Sequence, residues 1–288
     1  MNGTLGYGDP VTVTGRTQGT ITWLPAEGAV ITRGHGVYSV DADRRPLLYG
    51  DLPLYRTLQD GAHGKDVELL ERNLAKLGYT GFDVDDTYTW ATADAVERWQ
   101  EDLGHDVTGR VRPGDVVVAA GPIRVAGLKK ALGDSATGPV LTATGTTRQV
   151  RVDLDVADEH LVRRGMKAGV ELPDGATVNG KVTSVGKVAT QTGTGNDPAT
   201  TIEVTIAVSG LKKPYDAAPV DVTLVSERRA DVLAVPVGAL VALAEGGYGV
   251  QVVEGAATRY AAVTTGLFAD GQVEVTGVAE GTTVAVPA

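Results

Sequence analysis

The segment TRQVRVDLDVAD alternates apolar and polar residues, with Val150, Val152, Leu154 and Val156 all on one side. This period of two predicts a strand with one buried face. Short β runs punctuated by Gly and Pro recur along most of the chain. Residues 20–24, 29–32 and 37–40 form three such runs, with glycines at 28, 34 and 36 between them. DVVVA, PIRVA and PVLTA follow residue 111, and TIEVTIAV, PVDVTLV and DVLAVPVGAL read as a barrel-like series. Residues 248–287 give more short strands with Gly turns. Within this β text, ADEHLVRRG reads as one short helix with Asp158 as its cap, and residues 190–200, TQTGTGNDPAT, read as a polar loop.

Between residues 52 and 109 the period changes. Val67, Leu70, Leu74 and Leu77 recur three and four apart, as one face of a helix does. Asp66 is placed as its N-cap and Gly78 as its stop. A second helix carries Ala95, Val96, Trp99 and Leu103 on one face, with Thr89 or Thr92 as cap and Gly104 after it. LPLYRTLQDG is expected to add a third helix. Six of the fourteen aromatic residues fall here: Tyr55, Tyr79, Phe82, Tyr88, Trp90 and Trp99. The expected fold class is therefore mainly β and multidomain, interrupted once by a small three-helix unit with its own core.

Composition narrows the partners. The 288 residues suffice for two or three domains. A formal net charge of −10 supplies no basic footprint for nucleic acid or an anionic membrane surface. No apolar run is long enough to span a membrane, and MNGTLGYGDP lacks the pattern of a signal peptide. The absence of cysteine excludes disulfides, thiolate metal sites and cysteine nucleophiles. His35, His63, His105 and His160 show no paired spacing, and no Gly-x-Ser-x-Gly elbow or Walker lysine occurs. Asp83, Asp85 and Asp86 invite a calcium reading. Counting from Asp83, the sixth and twelfth places hold Tyr88 and Asp94 instead of the Gly and Glu an EF-hand needs. No catalytic set, metal site or cofactor is expected.

Residues 58–111 resemble the small peptidoglycan-binding domain of cell-wall enzymes and envelope proteins. The resemblance rests on Gly61, Gly64, Asp66 and Val67; on Leu77, Gly78 and Tyr79; on Val84 and Asp85; on Thr92, Ala95, Val96, Trp99 and Gln100; and on Thr108 with Gly109. Departures from its pattern are Glu71 after Leu70, where Gln is usual, and Asp85-Asp86 and Tyr88-Thr89, where the family tends to have Asp-Gly and Phe-Gly. The flanks resemble the periplasmic adaptors, or membrane fusion proteins, of efflux and secretion systems. GTITWLPAEGAVITRGHGVYSVD is similar to the first half of their lipoyl-like domain, and DVVVAAGPIRV with SATGPVLTATG to the second. The helical block then occupies the slot of the adaptors' coiled-coil hairpin, which suggests a cell with one membrane and a thick wall.

The resemblance implies a lipoyl-like β domain in two halves (11–50 and 110–146), a peptidoglycan-binding-like helical domain (52–109), a β-barrel domain (147–228) and a membrane-proximal β domain (229–288, with residues 1–10 as a candidate addition). It implies a non-enzymatic adaptor of an ABC-type exporter at the outer face of the cytoplasmic membrane. Expected partners are an ABC transporter permease, peptidoglycan and further copies of the chain, but no nucleic acid. Localisation would be the cell envelope, through an N-terminal anchor that this chain does not include. The alternative is a wall-binding envelope protein without a transporter; a wall hydrolase lacks a visible nucleophile or metal set. Trp99 is assigned to the core. Tyr79, Phe82, Asp85, Tyr88 and Trp90, on or beside the loop between the helices, are the candidate peptidoglycan contacts, because aromatic faces with nearby polar groups suit sugar rings and peptide stems. The competing reading has two or more of these aromatics only sealing the helix pair, and Asp85 only shaping its turn.

Overall fold

The computed structural model describes residues 1–192, 199–211, 213, 215–224, 231–255, 257–269 and 271–286. The chain divides into two compact units, Met1–Leu224 and Val225–Ala288. The alternating strand Gln149–Asp155 belongs to a closed antiparallel barrel of six strands in the first unit. Around the ring it is followed by Asn2–Gly6, Ala218–Leu224, Lys167–Glu171, Thr177–Val185 and Ala199–Val208, which pairs back onto Gln149–Asp155. Closure leaves these six strands without a free edge. The inward residues, among them Leu5, Val150, Val152, Val170, Val182, Val204 and Ile206, form an aliphatic core. Strand Asn2–Gly6 thus corrects the grouping of residues 1–10 with the last domain: Leu5 is fully buried in the barrel and pairs with Val150 and Ala218.

Two smaller readings in this region also change. Val156–Leu161 is a 3₁₀ turn capped by Asp155, whose Oδ1 accepts from the Ala157 N–H at 2.8 Å, and Asp158 is not the cap. The polar loop narrows, since Thr190–Thr192 and Ala199–Val208 are strands; residues 193–198 lie outside the described residues.

The β segments on either side of the helical block interleave. One four-stranded sheet runs Val11–Gly15, Gly138–Thr144, Ile123–Leu128, Val30–Ile31. The other runs Ile21–Trp23, Gly36–Val40, Asp43–Tyr49, Val117–Ala119. Each sheet takes strands from before and after the insert, and one core joins Ile21, Val37, Tyr38 and Leu47 to Ile123, Val125, Val140 and Leu141. Gly36–Val40 and Asp43–Tyr49 form a hairpin whose two turn residues, Asp41 and Ala42, have φ of 50° and 74°. Such a two-residue turn matches the twist of its strands. The Asp41 carboxylate accepts from Thr20 N–H, and Ala42 N–H donates to Thr22 Oγ1, both at 2.9 Å.

The insert leaves the second sheet at Tyr49 and returns at Val117. These flanking strands pair in parallel, with Leu47 opposite Val117 and Tyr49 opposite Ala119, so the module enters and exits at adjacent points. Helix α1 is Lys65–Leu77 and helix α2 is Trp90–Leu103. Val67, Leu70 and Leu74 from α1 pack with Val96 and Trp99 from α2. Gly78 and Gly104 end the helices in the left-handed region, at φ of 101° and 71°, where glycine carries no Cβ penalty. Thr89 caps α2 in a reciprocal box with Thr92. Asp66 is not the cap of α1; Gly64 holds that place. The Asp66 carboxylate instead accepts from both Nε and Nη2 of Arg56, at 2.7 and 2.9 Å.

LPLYRTLQDG forms no helix. Leu58 exchanges both backbone hydrogen bonds with Val111, at 2.9 and 3.0 Å, which spends the groups a helix would need and closes the base of the module. In the second unit, a five-stranded sheet runs Ala234–Pro236, Gln272–Thr276, Ala257–Ala269, Tyr248–Glu254, Leu240–Ala242 around Val235, Val250, Val252, Val263, Val273 and Val275. No helix among the described residues is long and apolar enough to cross a membrane.

Candidate binding site

The loop joining α1 to α2 is held from below by one carboxylate. Glu71 is fully buried; its Oε1 accepts from Thr92 Oγ1 at 2.6 Å and its Oε2 from the Asp85 N–H at 2.9 Å. Burial pushes this carboxyl above the usual carboxylate range, and the two hydrogen bonds pull against that shift. Asp85 turns its exposed carboxylate to the Thr87 N–H at 2.7 Å, a local turn. Beyond it the loop pairs with the segment before α1: Gly64 N–H donates to Asp86 C=O, Tyr88 N–H to Ala62 C=O and Gly61 N–H to Tyr88 C=O. The loop between the helices is therefore built on backbone partners and not on free chain.

This framework sorts the five expected contacts. Tyr88 is 1% exposed, and its hydroxyl donates to Gly109 C=O at 2.9 Å. It seals the helix pair, which corrects its assignment as a ligand contact; burial raises its phenol well above the ordinary value. Tyr79 is half-buried and donates to Asp102 Oδ2 at 2.7 Å; burial and the Asp102 carboxylate push its phenol up to about 12. Phe82 packs its inner side on the module core. Trp90 projects into solvent at 77% exposure from the first turn of α2. Phe82 and Asp85 meet with Asp83, Thr87, Thr89 and Ala91 around a shallow depression of about 360 Å³. Of the aromatics expected to act together, only Phe82 lines it.

A larger recess lies at the other end of α2. Gln100 folds the following loop against the helix: its Oε1 accepts from Thr108 and Gly109 N–H at 2.8 and 3.0 Å, and its Nε2 donates to Arg110 C=O at 2.8 Å. The loop, the end of the insert and the β hairpin enclose a polar cleft of about 550 Å³ over Trp99. Asp43 and Arg45 come from the sheet side, and His105, Asp106, Arg110, Arg112 and Asp115 from the module side. Sequence reading missed it because Arg45 and Asp115 are distant in sequence. The available signal was Arg45 itself, a charged residue followed by a buried run in a strand. Among the described residues, no group of three or more His, Asp or Glu side chains is placed to hold a metal.

Residues 63–113 match the profile of the peptidoglycan binding domain family. No curated protein sequence matches the chain. Among solved structures, MacA from Actinobacillus actinomycetemcomitans superposes with a TM-score of 0.54 at 13% identity, covering 100% of this chain and 95% of that one. A MacA-MexA chimeric protein containing the Pseudomonas aeruginosa MexA α-hairpin domain gives a TM-score of 0.51 at 15% identity, covering 100% and 95%. The chain thus shares the mainly β, multidomain fold of MacA and carries within it a segment, residues 63–113, that is similar to the peptidoglycan binding domain.

Proposed function

We propose that the chain is a non-enzymatic adaptor of an export system in the cell envelope, and that its helical module contacts peptidoglycan. One observation carries the reading: a module matching the peptidoglycan binding domain is seated between two adjacent parallel strands of a MacA-like fold. An insertion with neighbouring entry and exit points leaves the host sheets intact, and the module packs on the sheet through Leu48 and the Asn73–Tyr49 hydrogen bonds. In this reading the barrel and the last β unit dock an ABC-type permease. The split β domain packs against further copies of the chain, and an N-terminal segment outside this sequence supplies the anchor. The fold likeness to MacA and the matched module support this pairing of a transporter-facing part with a wall-facing part, and it has a direct test.

Photo-crosslinking in the native cell provides that test, with reactive groups placed singly at exposed positions of the second unit, such as Tyr260 and Phe268. The proposal expects crosslinks to an ABC-type permease. Crosslinks to wall material alone would instead support an anchoring protein without a transporter.

A further inference from the structure

The cleft at the end of α2 contains two charged groups whose hydrogen-bonding capacity is unused. Arg45 is 5% exposed, and its Nε has no hydrogen-bond partner. Its Nη1 is 3.9 Å from Asp115 Oδ1, an ion pair in range but beyond a hydrogen bond. That same Oδ1 has no hydrogen-bond partner either. Asp115 Oδ2 is occupied, accepting from the Arg112 N–H at 2.8 Å and from Arg112 Nε at 3.2 Å. The Nε2 of His105 also lacks a hydrogen bond of normal geometry, and burial holds its imidazole below the usual range. A buried charge without full hydrogen bonding is costly, so such groups concentrate where something else completes them.

The lining indicates what would complete them. Arg45, Arg110 and Arg112 face Asp43, Asp106 and Asp115, three positive groups against three negative ones. A simple anion or cation meets attraction and repulsion together here. A molecule carrying a carboxylate and an ammonium close together meets a partner for each. The Arg45 guanidinium would donate to the carboxylate, and the Asp115 carboxylate would accept from the ammonium. Both unpartnered atoms are shielded from bulk solvent in the free protein, so their groups gain from a ligand that supplies an acceptor to the guanidinium and a donor to the carboxylate. The volume, about 550 Å³, is within the range of small-ligand sites and holds a short peptide segment.

We propose that this cleft binds a zwitterionic peptide, and that the occupant is the stem peptide of peptidoglycan, held by its carboxylate and amino groups and not through its sugars. The assignment rests on the wall-contacting reading and deepens it. It moves the contact from the aromatic loop at Phe82 and Trp90 to the seam between module and host sheet. Neither part holds the site alone, because Asp43 and Arg45 belong to the sheet side and Arg110, Arg112 and Asp115 to the end of the insert.

The test titrates the full chain with three probes: a disaccharide–tetrapeptide released from purified wall, the free stem tetrapeptide, and the disaccharide without peptide. Amide and indole NMR shifts report the location, with Trp99 as the cleft reporter and Trp90 as the loop reporter. The proposal expects both peptide-bearing probes to bind with similar affinity, to shift Trp99 and not Trp90, and the disaccharide alone not to bind. Arg45→Gln should raise the Kd at least about tenfold. Because Arg45 is buried, Arg112→Gln serves as a second variant at an exposed side chain and should weaken binding by about threefold with the fold unchanged. Binding by the disaccharide alone, unchanged affinity in both variants, or no binding of either peptide probe would overturn the assignment. Pelleting with insoluble wall separates the two claims. If the chain pellets and both variants pellet equally, the cleft assignment fails and the wall-contacting reading stands. If the tetrapeptide binds at Trp99 but intact wall does not pellet the chain, the wall-contacting reading fails and a zwitterion site remains.

Discussion

The helical module and the barrel fill their interiors by different chemistry. The barrel core is aliphatic, and Thr201 is its one buried polar residue among those described. The two helices of the module bury Asp66, Glu71, Asn73, Thr92 and Gln100 alongside their apolar residues. The barrel needs no such groups, because strand ladders satisfy its backbone and closure removes its edges. The module has two short helices and long connections, whose backbone pairings do not by themselves tie the loops to the helices. Buried side chains add those ties: Glu71 holds the loop at Asp85, Gln100 holds the loop at Thr108 and Gly109, and Asn73 holds the exit from the sheet. The lesson is that a small inserted domain is shaped by satisfied buried polar groups, whereas the barrel is shaped by register.

The sharpest break in this comparison is a cavity in each core. Trp99→Ala should cost about 4 kcal/mol and Ile206→Ala about 3 kcal/mol, both being fully or nearly fully buried. Hydrogen exchange should localise the first loss to residues 52–116 and the second to the barrel strands. Equal loss of protection everywhere in both variants would mean the two regions are not separate cooperative units.

Asn73→Leu comes next. The Asn73 side chain accepts from Tyr49 N–H and donates to the Tyr49 and Leu69 carbonyls, each at 2.8 Å. Removing it strands the backbone of Tyr49 where the insert leaves the sheet, with an expected cost of about 2 kcal/mol in thermal unfolding. A change below half that size would show that the seam does not depend on this side chain. Tyr88→Phe should cost about 1 kcal/mol, the hydroxyl bond to Gly109 and no packing.

The smallest effect is in pH. Burial raises the Glu71 carboxyl, so the folded module holds that proton more tightly than the unfolded chain. Its contribution is fully present below the ordinary carboxylate pKa and is lost as pH rises through the elevated one. Asp66 has the opposite sign: the Arg56 guanidinium lowers its carboxyl, and that contribution is lost as pH falls through the depressed pKa. Unfolding of Glu71→Gln and Asp66→Asn across the acid range should therefore change the pH slope in opposite directions.

Much of the module was legible from period alone. Val67, Leu70, Leu74 and Trp99 point inward as their spacing requires. Caps and contacts were less legible, because they depend on partners far along the chain. Asp66 suits an N-cap until Arg56 takes its carboxylate, and Tyr88 looks like a loop aromatic until its hydroxyl meets Gly109. Leu58 sits in a helix-like string but bonds to Val111. Asn2–Gly6 gave no sign that its partners were Gln149–Asp155 and Ala218–Leu224. The polar cleft was the least visible feature, since its charges meet only when both sides of the insert are brought together.

The helical module, set within a MacA-like fold, is proposed to hold the wall. Co-sedimentation with insoluble peptidoglycan tests it most directly, comparing the chain with a version in which residues 52–109 are replaced by a short Gly/Ser linker. The account predicts that the chain pellets with the wall and that the linker version stays in solution. Equal pelleting of both, or of neither, would contradict it.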